Sequence, residues 1–98
     1  MYKKFLPVGS VVKIKSIDQR VMIVGFMQKQ SDTEKMWDYS AVLFPNGMID
    51  SQNVILFNGD AIERVYFIGL QDVETFSFMQ ALVKKVDELE EASKSQGE

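Results

Sequence analysis

No cysteine and no histidine occur among the 98 residues. The first absence excludes disulfide staples and thiolate-based zinc sites. The second removes the usual general base near neutral pH and the commonest metal ligand. Together they exclude nucleophilic triads of the Ser-His or Cys-His type, so acid–base chemistry is left to carboxylates, lysines and tyrosines.

Long apolar runs are also missing. The N-terminal "MYKKFLPVGSVVKIK" places Lys3 and Lys4 before apolar residues, but Pro7 and Gly9 interrupt the run and Lys13 ends it. It does not read as a secretion signal, and nothing approaches the roughly 18 apolar residues of a membrane span. Basic blocks are absent too: the net charge is -3, and Lys13, Lys15, Arg20, Lys84 and Lys85 are scattered among acids. No phosphate-neutralising stripe can be drawn. These features predict a cytoplasmic protein with no nucleic-acid partner and no membrane insertion.

What is present is ordinary globular composition, 46% hydrophobic and 26% charged, enough for one modest core. Val11, Val12 and Ile14 alternate with Lys13 and Lys15 as in a half-buried strand. "VMIVGFM", residues 21–27, reads as a central strand buried on both faces, with Gly25 at a bulge or a close backbone approach. After the polar segment 28–35, Trp37, Tyr39, Ala41 and Leu43 mark a third strand, and Asn46-Gly47 predicts a tight turn that folds Met48–Asp50 back on it. "NVILF" and "RVYFIG" supply two further strands. Between them Asn58 and Asp60 are helix-cap candidates, with Glu63 completing a box-like spacing.

From Asp72 the period changes. Val73, Phe76, Met79, Leu82 or Val83, Val86 and Leu89 recur every three or four residues, predicting an amphipathic helix over about 72–92. Strands followed by one helix, without βαβ alternation, predict an α+β fold. The expected form is a curved antiparallel sheet or small partly open barrel of four to five strands with a long C-terminal helix. We expect one domain over 1–92, with strands at about 10–69, and a flexible tail at 93–98.

Two loops deserve a chemical reading. Pro7-Val8-Gly9-Ser10 resembles a phosphate-gripping glycine loop only in composition, because such a loop leads into a helix and this one leads into a strand. A strand-entry bend is the simpler reading. Asp32, Glu34, Asp38, Asp50, Asp60 and Glu63 lie in or beside loops without the ligand density of a cation site, so the chain is expected to be non-enzymatic, with no metal and no cofactor. Phe26, Phe44, Phe57 and Phe67 suit a core, while Trp37 and Tyr39, bordering a polar loop, are candidates to line a groove. On the helix, Met79, Val83, Val86 and Leu89 are candidates for binding a partner helix.

The ordered set "LPVGSVV" (6–12), "MIVGF" (22–26), "WDYSAVLFPNG" (37–47) and "FNGDAIERVYFIG" (57–69) resembles a family of small Gram-positive bacterial proteins classed as a domain of unknown function. Trp37 ahead of Asp38 and the long helix after Asp72 depart from its pattern. The resemblance implies encoding beside type VII (ESX-type) secretion genes and their LXG toxin substrates. The function it implies is an accessory, chaperone-like or targeting factor for a helical WXG- or LXG-type partner. Two other functions fit the same residues: an immunity protein that neutralises a co-encoded toxin, and a structural component that assembles with itself. The resemblance carries no catalytic residues. Pro7, Gly9, Ser10, Gly25, Asp38, Tyr39, Pro45, Gly47, Phe57 and Asn58, which match its pattern, read mostly as turn and fold determinants.

Overall fold

The computed structural model describes residues 5–29, 35–50 and 53–97. It contains β1 (Val11–Ile14), β2 (Val21–Lys29), β3 (Met36–Leu43), β4 (Ile55–Phe57), a 3-10 turn (Gly59–Ala61), β5 (Ile62–Phe67) and α1 (Val73–Gly97). The chain divides into a sheet unit, Leu6–Leu70, and a second unit that holds α1.

The sheet unit is a five-stranded antiparallel open sheet in the order β4-β3-β2-β1-β5. With the C-terminal helix it makes an α+β fold, as the patterning predicts. β2 takes a central place. Its register against β3 runs Ile23↔Ala41 and then Gly25↔Ser40, so one extra residue, Val24, is accommodated by a bulge. A Cβ at Gly25 would lie 2.6 Å from Ser40 Oγ, which explains why the strand can be this close only with glycine there.

Two-sided burial falls on β3 and not on β2. Asp38, Tyr39, Ser40, Ala41 and Val42 are all buried in succession, whereas Val24 of β2 is exposed. The continuous apolar run in β2 reflects its bulge, which shifts the side-chain alternation by one place. Tyr39 sits at the middle of an aromatic row. It is paired across the ladder with Phe26 and Phe57, its ring 5.3 Å from that of Phe57 and 5.9 Å from that of Phe26.

The hairpin expected at Asn46-Gly47 is not formed by Met48–Asp50, which carry no strand. Gly47, at φ 76, donates its N–H to Leu43 O at 2.7 Å, and β3 takes β4 as its neighbour. A turn signal fixes a reversal but not how soon the returning chain pairs.

α1 begins behind an Asp72 cap. The Thr75 N–H and hydroxyl both donate to Asp72 Oδ1 at 2.8 Å. Such a cap satisfies one of the helix's free N-terminal donors. No helix among the described residues is long and apolar enough to cross a membrane.

Candidate functional site

The glycine loop that opens β1 is closed on itself and on the sheet. Ser10 N–H donates to Pro7 O, and Gly9 N–H donates to Ile23 O at 2.9 Å. These donors are therefore not turned toward a phosphate. Gly9 has φ 93, a conformation that L side chains rarely adopt. Ser10 is fully buried, and its Oγ accepts the Gly69 N–H at 3.0 Å from the far end of β5. A Cβ on Gly69 would lie 2.1 Å from Val8 O. The "LPVGS" and "FIG" segments are thus two halves of one tie between the entry to β1 and the exit from β5.

A second tie joins β3 to the turn before β5. Asp38 N–H donates to Asn58 Oδ1 at 3.1 Å, and Gly59 N–H donates to Asp38 Oδ2 at 2.9 Å. Asn58 does precede a short helical turn, but its side chain makes no cap bond there. Glu63 is on β5, 2.9 Å from Lys13 Nζ, so the expected capping box does not form. That bond to Glu63 is the main reason the Lys13 pKa is raised. Asp38 and Glu63 are therefore spoken for structurally. Asp32 and Glu34 lie outside the described residues. Among the described residues no three acidic side chains cluster closely enough to hold a metal ion.

A cleft of about 380 Å³ opens beside the Asn46-Gly47 turn. Its lining is Ile17, Leu43, Ile49, Val54 and Ile55, with Asn46, Gly47 and Asn53 as the remainder. None of the described residues that line it is titratable.

The aromatic pair proposed for a groove separates by role. Tyr39 is 3% exposed, and its hydroxyl accepts the Leu6 N–H at 3.0 Å, so it packs and braces the N-terminal segment. Trp37 is half-buried, with the Lys35 ammonium 4.0 Å above its ring.

On α1 the expected contact residues differ sharply in exposure. Val86 is 2% exposed and Val83 is likewise buried, Met79 is half-buried, and Leu89 is 43% exposed. Val83 and Val86 have little surface left to offer a partner. Periodicity marks an apolar stripe but not which part of it stays open. The open part is displaced to one side: Phe78, half-buried Leu82 and Leu89 stand at i, i+4 and i+11 along one ridge, and Phe76 is 70% exposed.

The largest difference from the sequence reading concerns β5. Phe67 suits a core by composition, and Phe57 is indeed buried, but Phe67 is 60% exposed. Val65, Tyr66, Ile68 and Leu70 are exposed with it. "RVYFIG" looks like a buried strand because it is nearly unbroken apolar sequence, and nothing in it declares that the strand ends the sheet. Tyr66 lies under two guanidinium groups, Arg64 at 5.0 Å and Arg20 at 5.7 Å.

Neither curated proteins nor solved structures give a match. Among protein families, residues 5–78 match a domain of unknown function, DUF4176. The match spans both buried ties, the bulged strand and the start of the helix, and the chain belongs to the DUF4176 family.

Proposed function

We propose that this protein is a non-enzymatic accessory factor of a type VII secretion system, acting as an adaptor or targeting factor that binds a helical secretion substrate or partner protein. The observation that carries this reading is the ridge of α1, where Phe78, Leu82 and Leu89 form an apolar line along a helix and Phe78 and Leu89 are exposed. Apolar residues at i, i+4 and i+11 match the seam by which one helix receives another. Of the carboxylates that might have done chemistry, Asp38 and Glu63 are held in structural bonds, and the cleft beside the Asn46-Gly47 turn has no ionisable residue among its described lining. The secretion context comes only from what the family resemblance implies.

Co-expression with an LXG-type helical protein tests the proposal. The full-length chain is expected to retain that protein through affinity and size-exclusion steps at a fixed stoichiometry. Phe78→Asp combined with Leu89→Asp should abolish retention while far-ultraviolet circular dichroism and the melting temperature stay close to wild type. No retention by the wild-type chain, or undiminished retention by the double variant, would refute it.

A further inference from the structure

Three cations of the sheet unit are drawn together, and among the described residues only one of them has an ion-pair partner. Lys13 of β1 stands directly opposite Arg64 of β5, a like-charge pair of the kind that sheets ordinarily avoid. Arg20 immediately precedes Val21, the partner of Val12, so a third cation arrives on the other flank of β1. Glu63 answers Lys13 at 2.9 Å, and Asp18 acts on the same lysine only through space. The chain has 14 acidic residues, yet among the described residues neither arginine side chain is ion-paired or hydrogen-bonded.

Aromatic rings hold the two arginines instead. The Arg20 guanidinium lies 5.1 Å from the Phe44 ring and 5.7 Å from the Tyr66 ring, and that of Arg64 lies 5.0 Å from Tyr66. Rings and guanidiniums thus alternate from Phe44 to Arg64. The register explains how Tyr66 joins them: pairing steps from Val11↔Phe67 to Val12↔Val65, so Tyr66 is an extra residue in a bulge, a device that re-aims a side chain. Arg20 is fixed beside Phe44 by its own carbonyl, which accepts the Phe44 N–H at 2.9 Å. A guanidinium stacked on a ring keeps its N–H donors at its edge. The stack therefore orders both forks in advance and leaves their donors open, which lowers the entropic cost of binding an acceptor.

We propose that the stack of Arg20, Tyr66 and Arg64 is the docking site for an acidic segment of a partner protein, one in which carboxylates are interspersed with apolar side chains. Each guanidinium fork fits a carboxylate through two parallel bonds. Phe67 and Arg64 pair with Val11 and Lys13, two residues apart on β1, so the Phe67 ring shares a face with the guanidinium. Phe67 is 60% exposed. It gives the segment's apolar side chains a contact that a free anion could not use. With a net charge of -3 the chain as a whole repels an acidic partner, so attraction is local to this patch, within a screening length of about 8 Å at physiological salt. The opposition of Lys13 and Arg64, unfavourable in the free protein, turns favourable once carboxylates arrive.

Heteronuclear NMR titration of the full-length chain with a short peptide of alternating glutamate and leucine tests this, beside its glutamine-for-glutamate counterpart and inorganic phosphate. The glutamate peptide is expected to move the Arg20 and Arg64 side-chain Nε–H and the Phe67 amide resonances saturably, and less at high salt. Arg20→Gln combined with Arg64→Gln should weaken binding about tenfold or more, the order expected when charge-assisted bonds are lost. Arg64→Lys keeps the charge but loses the fork, and should weaken binding even where the double variant does not fold. The Phe78→Asp, Leu89→Asp chain should bind the peptide as wild type does, because no helix residue takes part. No saturable shift with the glutamate peptide overturns the proposal. So does equal binding of the glutamine peptide, undiminished binding by either arginine variant, or the same shifts produced by phosphate at equal concentration. Movement of these resonances with protein concentration alone would assign the patch to the acidic helix residues of a second copy, and equally overturns it.

Discussion

Ser10 and Gly69 show how much of this fold rests on single atoms. The Ser10 hydroxyl is the acceptor for a buried backbone N–H contributed 59 residues later. Ser10→Ala would leave that donor unpaired, and an orphaned buried polar group typically costs about 1–3 kcal/mol. Gly69→Ala should be worse, because its Cβ would lie 2.1 Å from Val8 O and backbone must move to relieve it. The loss is expected at or above the upper end of the roughly 1–3 kcal/mol usual for overpacking. Urea denaturation read by tyrosine and tryptophan fluorescence would rank the two. A loss below 0.5 kcal/mol for both, about the level of ordinary surface substitutions, would show that the tie is dispensable.

At the scale of elements, the start of α1 is a separable device. Asp72 accepts two hydrogen bonds from Thr75, chiefly the backbone one, and its carboxyl is held below its ordinary value of 3.8. A depressed carboxylate stabilises the fold at pH values above its unfolded pKa, and that contribution is lost as the pH falls through the folded value. Asp72→Ala should therefore lower helix content and melting temperature at neutral pH. The gap from wild type should close on acidification below the carboxylate range. Circular dichroism melts of both chains at neutral and strongly acid pH would read this, and a gap independent of pH would contradict it.

Legibility from sequence also divides by element. β1 is legible because β-branched residues alternate with lysines, and α1 because its apolar residues follow a three-to-four spacing with an acidic start. The α+β class follows from their order. What sequence pattern misses depends on neighbours. Val24 interrupts the alternation of β2, so a bulged strand looks two-sided while the two-sided burial belongs to β3. Phe67 looks like core until β5 is placed at the edge. Asp38 and Asn58 read as turn formers, and their reciprocal bonds to each other's backbone neighbourhood appear only once β3 and the 3-10 turn are adjacent. For the candidate site, helical period identifies the Val83, Val86 and Leu89 stripe but not that only Leu89 among them keeps substantial surface.

The tie between Ser10 and Gly69 also constrains the order of events during synthesis. β1 lies between β2, which follows it closely, and β5, which emerges from the ribosome some fifty residues later. Until Gly69 has left the exit tunnel, β1 has one flank bare and the Ser10 hydroxyl has no amide to receive. The sheet can therefore be completed only when most of the polypeptide has been made. A nascent chain with unpaired strands is a natural client for chaperones, and stalling anywhere before residue 69 should leave a product open to proteases.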